Sequence, residues 1–141
     1  MRKPNVLVIC TGNSMRSQLA EGVLRHELGD RIEVFSAGTS PSHIYPLVIE
    51  VLKDAGIDAG AQYSKSVNLF LDEEMDLVIT VCDHANETCP HFPNARKRVH
   101  HGYPDPIRLA FNSDEYQVFA GLRDQIKAEL VPLVIRELGL H

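Results

Sequence analysis

Several features are scarce in this sequence, and each scarcity excludes something. Its 141 residues hold only three cysteines, Cys10, Cys82 and Cys89. An odd, low count is a poor disulfide framework for a secreted protein. No apolar run approaches the ~20 residues a membrane span needs. Behind Met1-Arg2-Lys3-Pro4 there is only Val6 to Cys10, with no signal-peptide pattern. Positive charge is not in excess: the net charge is −5, and Arg96-Lys97-Arg98 is too short a cluster to mark nucleic-acid binding. Repeats, low-complexity stretches and linkers are missing too. The expectation is a cytoplasmic protein in a reducing compartment, away from membranes and nucleic acid. It should form one domain over residues 1–141 and act as a monomer.

The composition is that of an ordinary globular chain, 44% hydrophobic and 23% charged. A chain of this length buries roughly two-thirds of its unfolded surface without staples. A disordered tail, a collagen and a disulfide-stapled miniprotein are thereby excluded.

Val6-Leu7-Val8-Ile9 is an unbroken β-branched and apolar run, as expected of a strand buried on both faces. From Arg16 to Leu28, the residues Leu19, Ala20, Val23, Leu24 and Leu28 recur at helical spacing, and Gly29 stops them. A second strand is expected at Ile32 to Phe35. Pro46 opens a helix with Leu47, Val48, Val51, Leu52 and Ala55 on one face and Gly56 as its stop. Leu77 to Val81 reads as a third strand and Arg98 to His100 as a weak fourth. Asn112 with Glu115 resembles a capping box opening a long helix. Phe119, Leu122, Ile126, Leu130, Leu133 and Leu138 form its face, and Pro132 is expected to kink or divide it. Buried strands alternating with amphipathic helices predict an α/β fold, a four-stranded parallel sheet flanked by helices on both faces. Ligands in such sheets bind outside the carboxyl ends of the strands. Cys10 and Cys82 both fall there, on one rim.

Cys10-Thr11-Gly12-Asn13-Ser14-Met15-Arg16-Ser17 joins the first strand to the first helix. Backbone N–H groups of such a turn can converge on an anion, and the helix N-terminus adds positive potential. Arg16 can clamp a tetrahedral oxyanion with two nitrogens. The same field favours the thiolate of Cys10, the nucleophilic form. Ser17 can donate to that thiolate, and Asn13 tolerates a left-handed backbone. A bare C-x5-R pattern is weak; the strand, the Gly-Asn-Ser turn and the helix around it make it specific.

These eight residues resemble the phosphate loop of the low-molecular-weight tyrosine phosphatase fold. Gln18-Leu19-Ala20-Glu21-Gly22 continues as in the arsenate reductases that share it. Phe35-Ser36-Ala37-Gly38-Thr39, Asp76 to Cys82 and Pro104-Asp105-Pro106 match as well, so the likeness covers positions 5 to about 128. The whole pattern is similar to the thioredoxin-coupled arsenate reductases. It implies arsenate, a phosphate-like oxyanion, as substrate, no tightly bound cofactor, and thioredoxin as partner and electron donor. In the family, the aspartate matching Asp105 is the general acid that protonates the leaving oxygen. Two prolines around one carboxylate suit a presented acid. His100 and His101, just before it, read as surface or packing residues.

Cys82 and Cys89 separate the two activities of this fold. A phosphatase needs one thiol, because water hydrolyses its phosphocysteine. A reductase must supply two electrons, and a dithiol closing to a disulfide supplies them. The resemblance implies a relay. Cys10 attacks arsenic, Cys82 attacks Cys10 and releases arsenite, and Cys89 attacks Cys82 and leaves Cys82–Cys89 for thioredoxin. The thiols are seven positions apart, too far for one rigid turn, so their polar segment must fold back or move. Other readings stay open at this point. The thiols could be spectators of a phosphatase using Cys10, Arg16 and Asp105. Cys82, His84, Cys89 and His91 could hold zinc, although usual sites leave two to four residues between paired ligands; no metal is expected. A metal- or arsenite-sensing module would rest on that spacing alone.

Three positions depart from the family's pattern. Met15 stands where a second loop cysteine is common. Lys65 stands where some relatives carry an aspartate that helps bind potassium with residues matching Asn13, Glu21 and Ser36, so an ammonium is expected in the ion's place. Ile107 stands where phosphatases tend to carry an aromatic, which argues against phosphotyrosine.

Overall fold

Strands form where β-branched and apolar residues run without interruption. The computed structural model describes residues 2–140. It places β1 at Asn5–Cys10, β2 at Glu33–Gly38, β3 at Leu77–Thr80 and β4 at Arg98–His100. All pair in parallel, in the order β2-β1-β3-β4. Consecutive strand residues point to opposite faces. Every residue of β1 from Val6 onward and all of β3 are buried, so both faces of the sheet are covered.

Five helices connect and cover the strands: α1 at Arg16–Leu28, α2 at Pro46–Asp54, α3 at Asp83–Thr88, α4 at Pro106–Leu109 and α5 at Glu115–Leu138. A 3-10 turn occupies Val67–Phe70. α1, α2 and α5 pack against one another, while α3 lies against β1 and β3. The expected apolar face of α1 is wholly buried, and that of α5 is buried from Phe119 to Leu133. On α2, Val48, Val51 and Leu52 are buried, whereas Ala55 caps the helix exposed to solvent. No helix among the described residues is long and apolar enough to cross a membrane.

The chain leaves β1 toward β2 on one side and returns to β3 on the other. That reversal opens a crevice at the carboxyl ends of β1 and β3, the usual ligand position in open parallel sheets. Cys10 ends β1, and Cys82 follows β3 by two residues.

Four features of these elements differ from the sequence-based expectation. The cap of α5 is Asp114, whose carboxylate accepts from the Gln117 N–H at 3.2 Å. Asn112 instead takes a left-handed φ of 64° in the turn before it, a conformation Asn tolerates. Pro132 neither divides nor ends α5, which runs unbroken from Glu115 to Leu138. An interior proline costs roughly 3 kcal/mol. Burial of Leu130, Leu133 and Val134 beside it, at ~1.5–3 kcal/mol each, outweighs that. Gly29 ends α1 with a right-handed φ of −62°, not the left-handed stop that glycine usually provides. Finally, the polar segment between Cys82 and Cys89 is the helix α3, with Cys82 and Cys89 as its two caps.

Candidate active site

The loop after β1 is shaped from its outer side. The carbonyls of Cys10, Thr11, Gly12 and Ser14 accept bonds from the N–H groups of Thr39, Ser40, Ser42 and Tyr45 at 2.9–3.2 Å. The Asn13 carbonyl accepts from Gln18 Nε2 at 3.1 Å and from the Ser64 hydroxyl at 2.5 Å. In a planar trans peptide, C=O and N–H point in opposite directions. Turning these five carbonyls outward therefore turns the N–H groups of residues 11 to 15 inward. Asn13 makes the turn with a φ of 49°. Gly38, at the end of β2, lets the loop come close. A Cβ there would lie 2.5 Å from the Thr11 carbonyl oxygen and 2.9 Å from the Asn13 nitrogen.

Cys10 is 3% exposed at the floor of this loop, and its sulfur meets the Ser17 hydroxyl at 2.8 Å. Asn13 Nδ2 donates to Ser17 Oγ at 2.8 Å and to Ser36 Oγ at 2.9 Å. Asn13 fills one lone pair of the Ser17 hydroxyl; once Cys10 is a thiolate, with no proton to give, the Ser17 O–H is the donor to sulfur. Arg16 opens α1. Its Nη1 donates to the Tyr103 carbonyl at 2.9 Å, while its Nε is buried without a protein partner. A buried, unpaired guanidinium donor costs free energy unless an acceptor arrives. An oxyanion held beside the inward N–H groups would supply that acceptor.

The hydrogen bonds continue behind the loop. The Ser36 hydroxyl donates to Glu21 Oε1 at 2.5 Å. Glu21 also accepts from Arg25 at 2.8 Å and has Lys65 Nζ 3.7 Å away. The Lys65 N–H donates to Asn13 Oδ1 at 2.9 Å, and its ammonium donates to the Tyr63 carbonyl at 2.8 Å. Burial pushes the Lys65 ammonium below its ordinary value of 10.5, with Glu21 opposing and Arg25 adding to the shift. The Lys65 ammonium thus stands beside Glu21, as expected, while Lys65 reaches Asn13 through its backbone N–H.

Cys82 is 2% exposed, and its sulfur meets the Thr11 hydroxyl at 3.3 Å, against the Cys10 loop. Cys89 is partly buried at the far end of α3. Burial raises its thiol above the ordinary 9.0, and Arg98 only partly offsets this. All three thiols are free. At ~1.5 Å rise per residue, the two caps of α3 stand about 10 Å apart, whereas a disulfide requires Cα atoms within ~7 Å. Cys82 and Cys89 can join only if α3 unwinds.

Asp105 caps α4, accepting from the Ile107 N–H at 2.9 Å. It shares one groove with Arg16, Cys82, Asp83, His84, Tyr103 and Arg108. The structure therefore gathers Cys10, Thr11, Gly12, Asn13, Ser14, Met15, Arg16, Ser17, Cys82 and Asp105 at one rim, with Cys89 one short helix away. Among the described residues, no three His, Cys, Asp or Glu side chains converge as a metal-holding group, and Cys82, His84, Cys89 and His91 are not assembled as one.

The sequence reading missed several partners. His100 is exposed and His101 partly so, in keeping with surface or packing residues, but both have partners. His100 bonds Thr80 and Asp83 at 2.8 Å each, and His101 bonds Glu129 at 2.8 Å. Tyr103 acts through its backbone, which no residue-type pattern reveals. Arg25 was findable as the i+4 partner of Glu21.

Residues 5–138 match the low molecular weight phosphotyrosine protein phosphatase family. An arsenate reductase of Halalkalibacterium halodurans is 39% identical over 127 residues, covering 89% of this chain and 91% of that protein. A solved arsenate reductase in a phosphate-binding state superposes with a TM-score of 0.80 at 27% identity, covering 94% of this chain and 98% of that one. The Corynebacterium glutamicum thioredoxin-dependent arsenate reductase superposes with a TM-score of 0.67 at 27% identity, covering 95% of this chain and 63% of that one. By sequence match and by fold, the chain belongs to the low molecular weight phosphotyrosine protein phosphatase family.

Proposed function

We propose that this chain reduces arsenate to arsenite through a three-thiol relay and is regenerated by thioredoxin. The supporting observation is the position of Cys82, whose sulfur lies against Thr11 of the Cys10 loop, with Cys89 at the other end of α3. A phosphatase built on Cys10, Arg16 and Asp105 has no use for that arrangement. Relatives and solved neighbours described as arsenate reductases support the same reading.

In this reading, arsenate sits in the loop on the N–H groups of residues 11 to 15 and on Arg16. The Cys10 thiolate attacks arsenic, and Asp105 gives a proton to the departing hydroxyl. Charge developing on the oxyanion is met by donors already fixed in place, so little reorganisation is needed. Cys82 attacks the Cys10 sulfur, and the S–As bonding pair stays on arsenic. As(V) thereby becomes As(III), arsenite leaves, and Cys10–Cys82 forms. Cys89 then attacks Cys82, freeing the Cys10 thiolate, and Cys82–Cys89 forms as α3 unwinds. Thioredoxin reduces that disulfide. The neighbour described as thioredoxin-dependent supports this choice of donor.

The test is arsenate turnover with thioredoxin, thioredoxin reductase and NADPH, for wild type, Cys82→Ser and Cys89→Ser. Loss of multiple turnover in both variants is expected, with Cys10–Cys82 trapped in Cys89→Ser by mass spectrometry. Wild-type turnover in both variants overturns the relay. Because phosphate shares the charge and tetrahedral shape of arsenate, the loop should accept it too, and slow phosphatase activity should survive in both.

A further inference from the structure

The helix α3 must open for Cys82 and Cys89 to join, so whatever holds it closed sets how readily they do. Six residues are too few for a helix to persist on propensity alone. α3 is held from outside. Asp83 Oδ1 meets His100 Nε2 at 2.8 Å, and His100 Nδ1 meets the Thr80 hydroxyl at 2.8 Å. One turn further on, Asn86 Oδ1 accepts from Thr80 at 3.2 Å, and its backbone carbonyl accepts from Arg98 at 2.9 Å. β3 and β4 thus grip two residues of α3, three positions apart, through a shared threonine. Gly102 makes room for the grip. A Cβ there would lie 2.7 Å from Asp83 Oδ1 and 3.0 Å from His100 Nε2.

We propose that His100, acting through Asp83, is the latch that keeps α3 wound and so holds Cys82 and Cys89 apart in the reduced enzyme. His100 touches neither substrate nor thiol; it is a positioning residue for the second step of the relay, and the inference rests on that relay. The latch stabilises the dithiol and not the disulfide. Removing it favours oxidation, so the midpoint potential of the Cys82–Cys89 couple falls. The Asp83 side chain is 87% exposed, so the contact is worth at most one net hydrogen bond, about a fivefold change in the oxidation equilibrium. For a two-electron couple, where tenfold is ~30 mV, that is a downward shift of about 20 mV.

The measurement uses the full chain carrying Cys10→Ser, so that only Cys82 and Cys89 titrate. The protein is equilibrated with mixtures of reduced and oxidised glutathione, which accept or supply the two electrons. The fraction of Cys82–Cys89 disulfide is then read by thiol alkylation and mass spectrometry. His100→Ala and Asp83→Ala should each lower the potential, and the double variant should fall no further than either alone. Gly102→Ala, which pushes a methyl into the carboxylate, should shift it the same way and stands in if His100→Ala folds poorly. Unchanged midpoints, or effects of Asp83→Ala and His100→Ala that simply add, overturn the latch. Failure of the relay itself looks different, because no Cys82–Cys89 disulfide then forms in any variant, including the one with the latch intact.

Discussion

Ser17 is the side chain that meets the Cys10 sulfur. Its hydroxyl is 2.8 Å from the sulfur, and the Asn13 amide donates to its oxygen. A hydrogen bond to a charged group is worth about 1.5–3 kcal/mol net. In Ser17→Ala, the thiolate loses that donor while the loop amides and Arg16 stay in place. The rate of the first step in single-turnover arsenate reduction should fall about 10- to 100-fold, with little change in arsenate affinity. Rapid-quench measurement under enzyme excess separates the two. A loss confined to affinity would mean that Ser17 serves the oxyanion and not the sulfur. At this scale the sequence was most informative, because Cys10, Arg16, Ser17 and Asp105 carry side chains whose possible chemistry is evident from residue type, and the fold brings them to one rim. Asn13 was legible only as a residue tolerant of left-handed backbone. Its further part as a hub joining Ser17, Ser36 and Lys65 depends on a chain segment 52 positions away.

Between elements, the loop is braced by a buried cation. Glu21 of α1, Ser36 of β2 and Lys65 meet behind Asn13, and the Lys65 ammonium brings the positive charge. An ammonium tied to the chain needs no ion from solution. Turnover should therefore respond weakly or not at all when potassium replaces sodium at constant ionic strength. A strong and specific rise with potassium would show that Lys65 does not fill that place. Elements with long apolar patterns, such as β1, α1 and the face of α5, were legible from the sequence because burial writes its period into residue type. α3 and α4 were not. They are six and four residues long, they bury only Ala85 and Pro106, and contacts made elsewhere in the fold hold them. The start of α5 was misplaced by two residues because Asn112 and Asp114 are equally good caps by type. Only the left-handed turn at Asn112 decides between them.

Across the whole molecule, the two ends of the sheet do different jobs. The carboxyl rim carries the thiols and the anion loop. The amino rim is clipped by Asp76, whose carboxylate accepts from the Asn5 N–H at 2.7 Å and from Arg2 at 3.1 Å, with Arg96 at 3.7 Å. One side chain thus ties the first residue of β1 to the entry of β3. Burial by itself would raise the Asp76 carboxyl. The Asn5 N–H and the Arg2 and Arg96 charges outweigh it and hold the group below its ordinary 3.8. A carboxyl depressed on folding contributes stability that is present above its unfolded value and is lost as pH falls through the folded one. Asp76→Asn should therefore cost about 1–3 kcal/mol in urea unfolding at pH 7. The gap to wild type should close as pH drops below 3.8, because wild type then loses the same charge. Five strand steps of ~3.3 Å put Asn5 about 17 Å from Cys10, so neutral-pH turnover of the folded variant should be unchanged. A gap that stays constant down to acid pH would mean that Asp76 stabilises the sheet through shape and hydrogen-bond count and not through its charge.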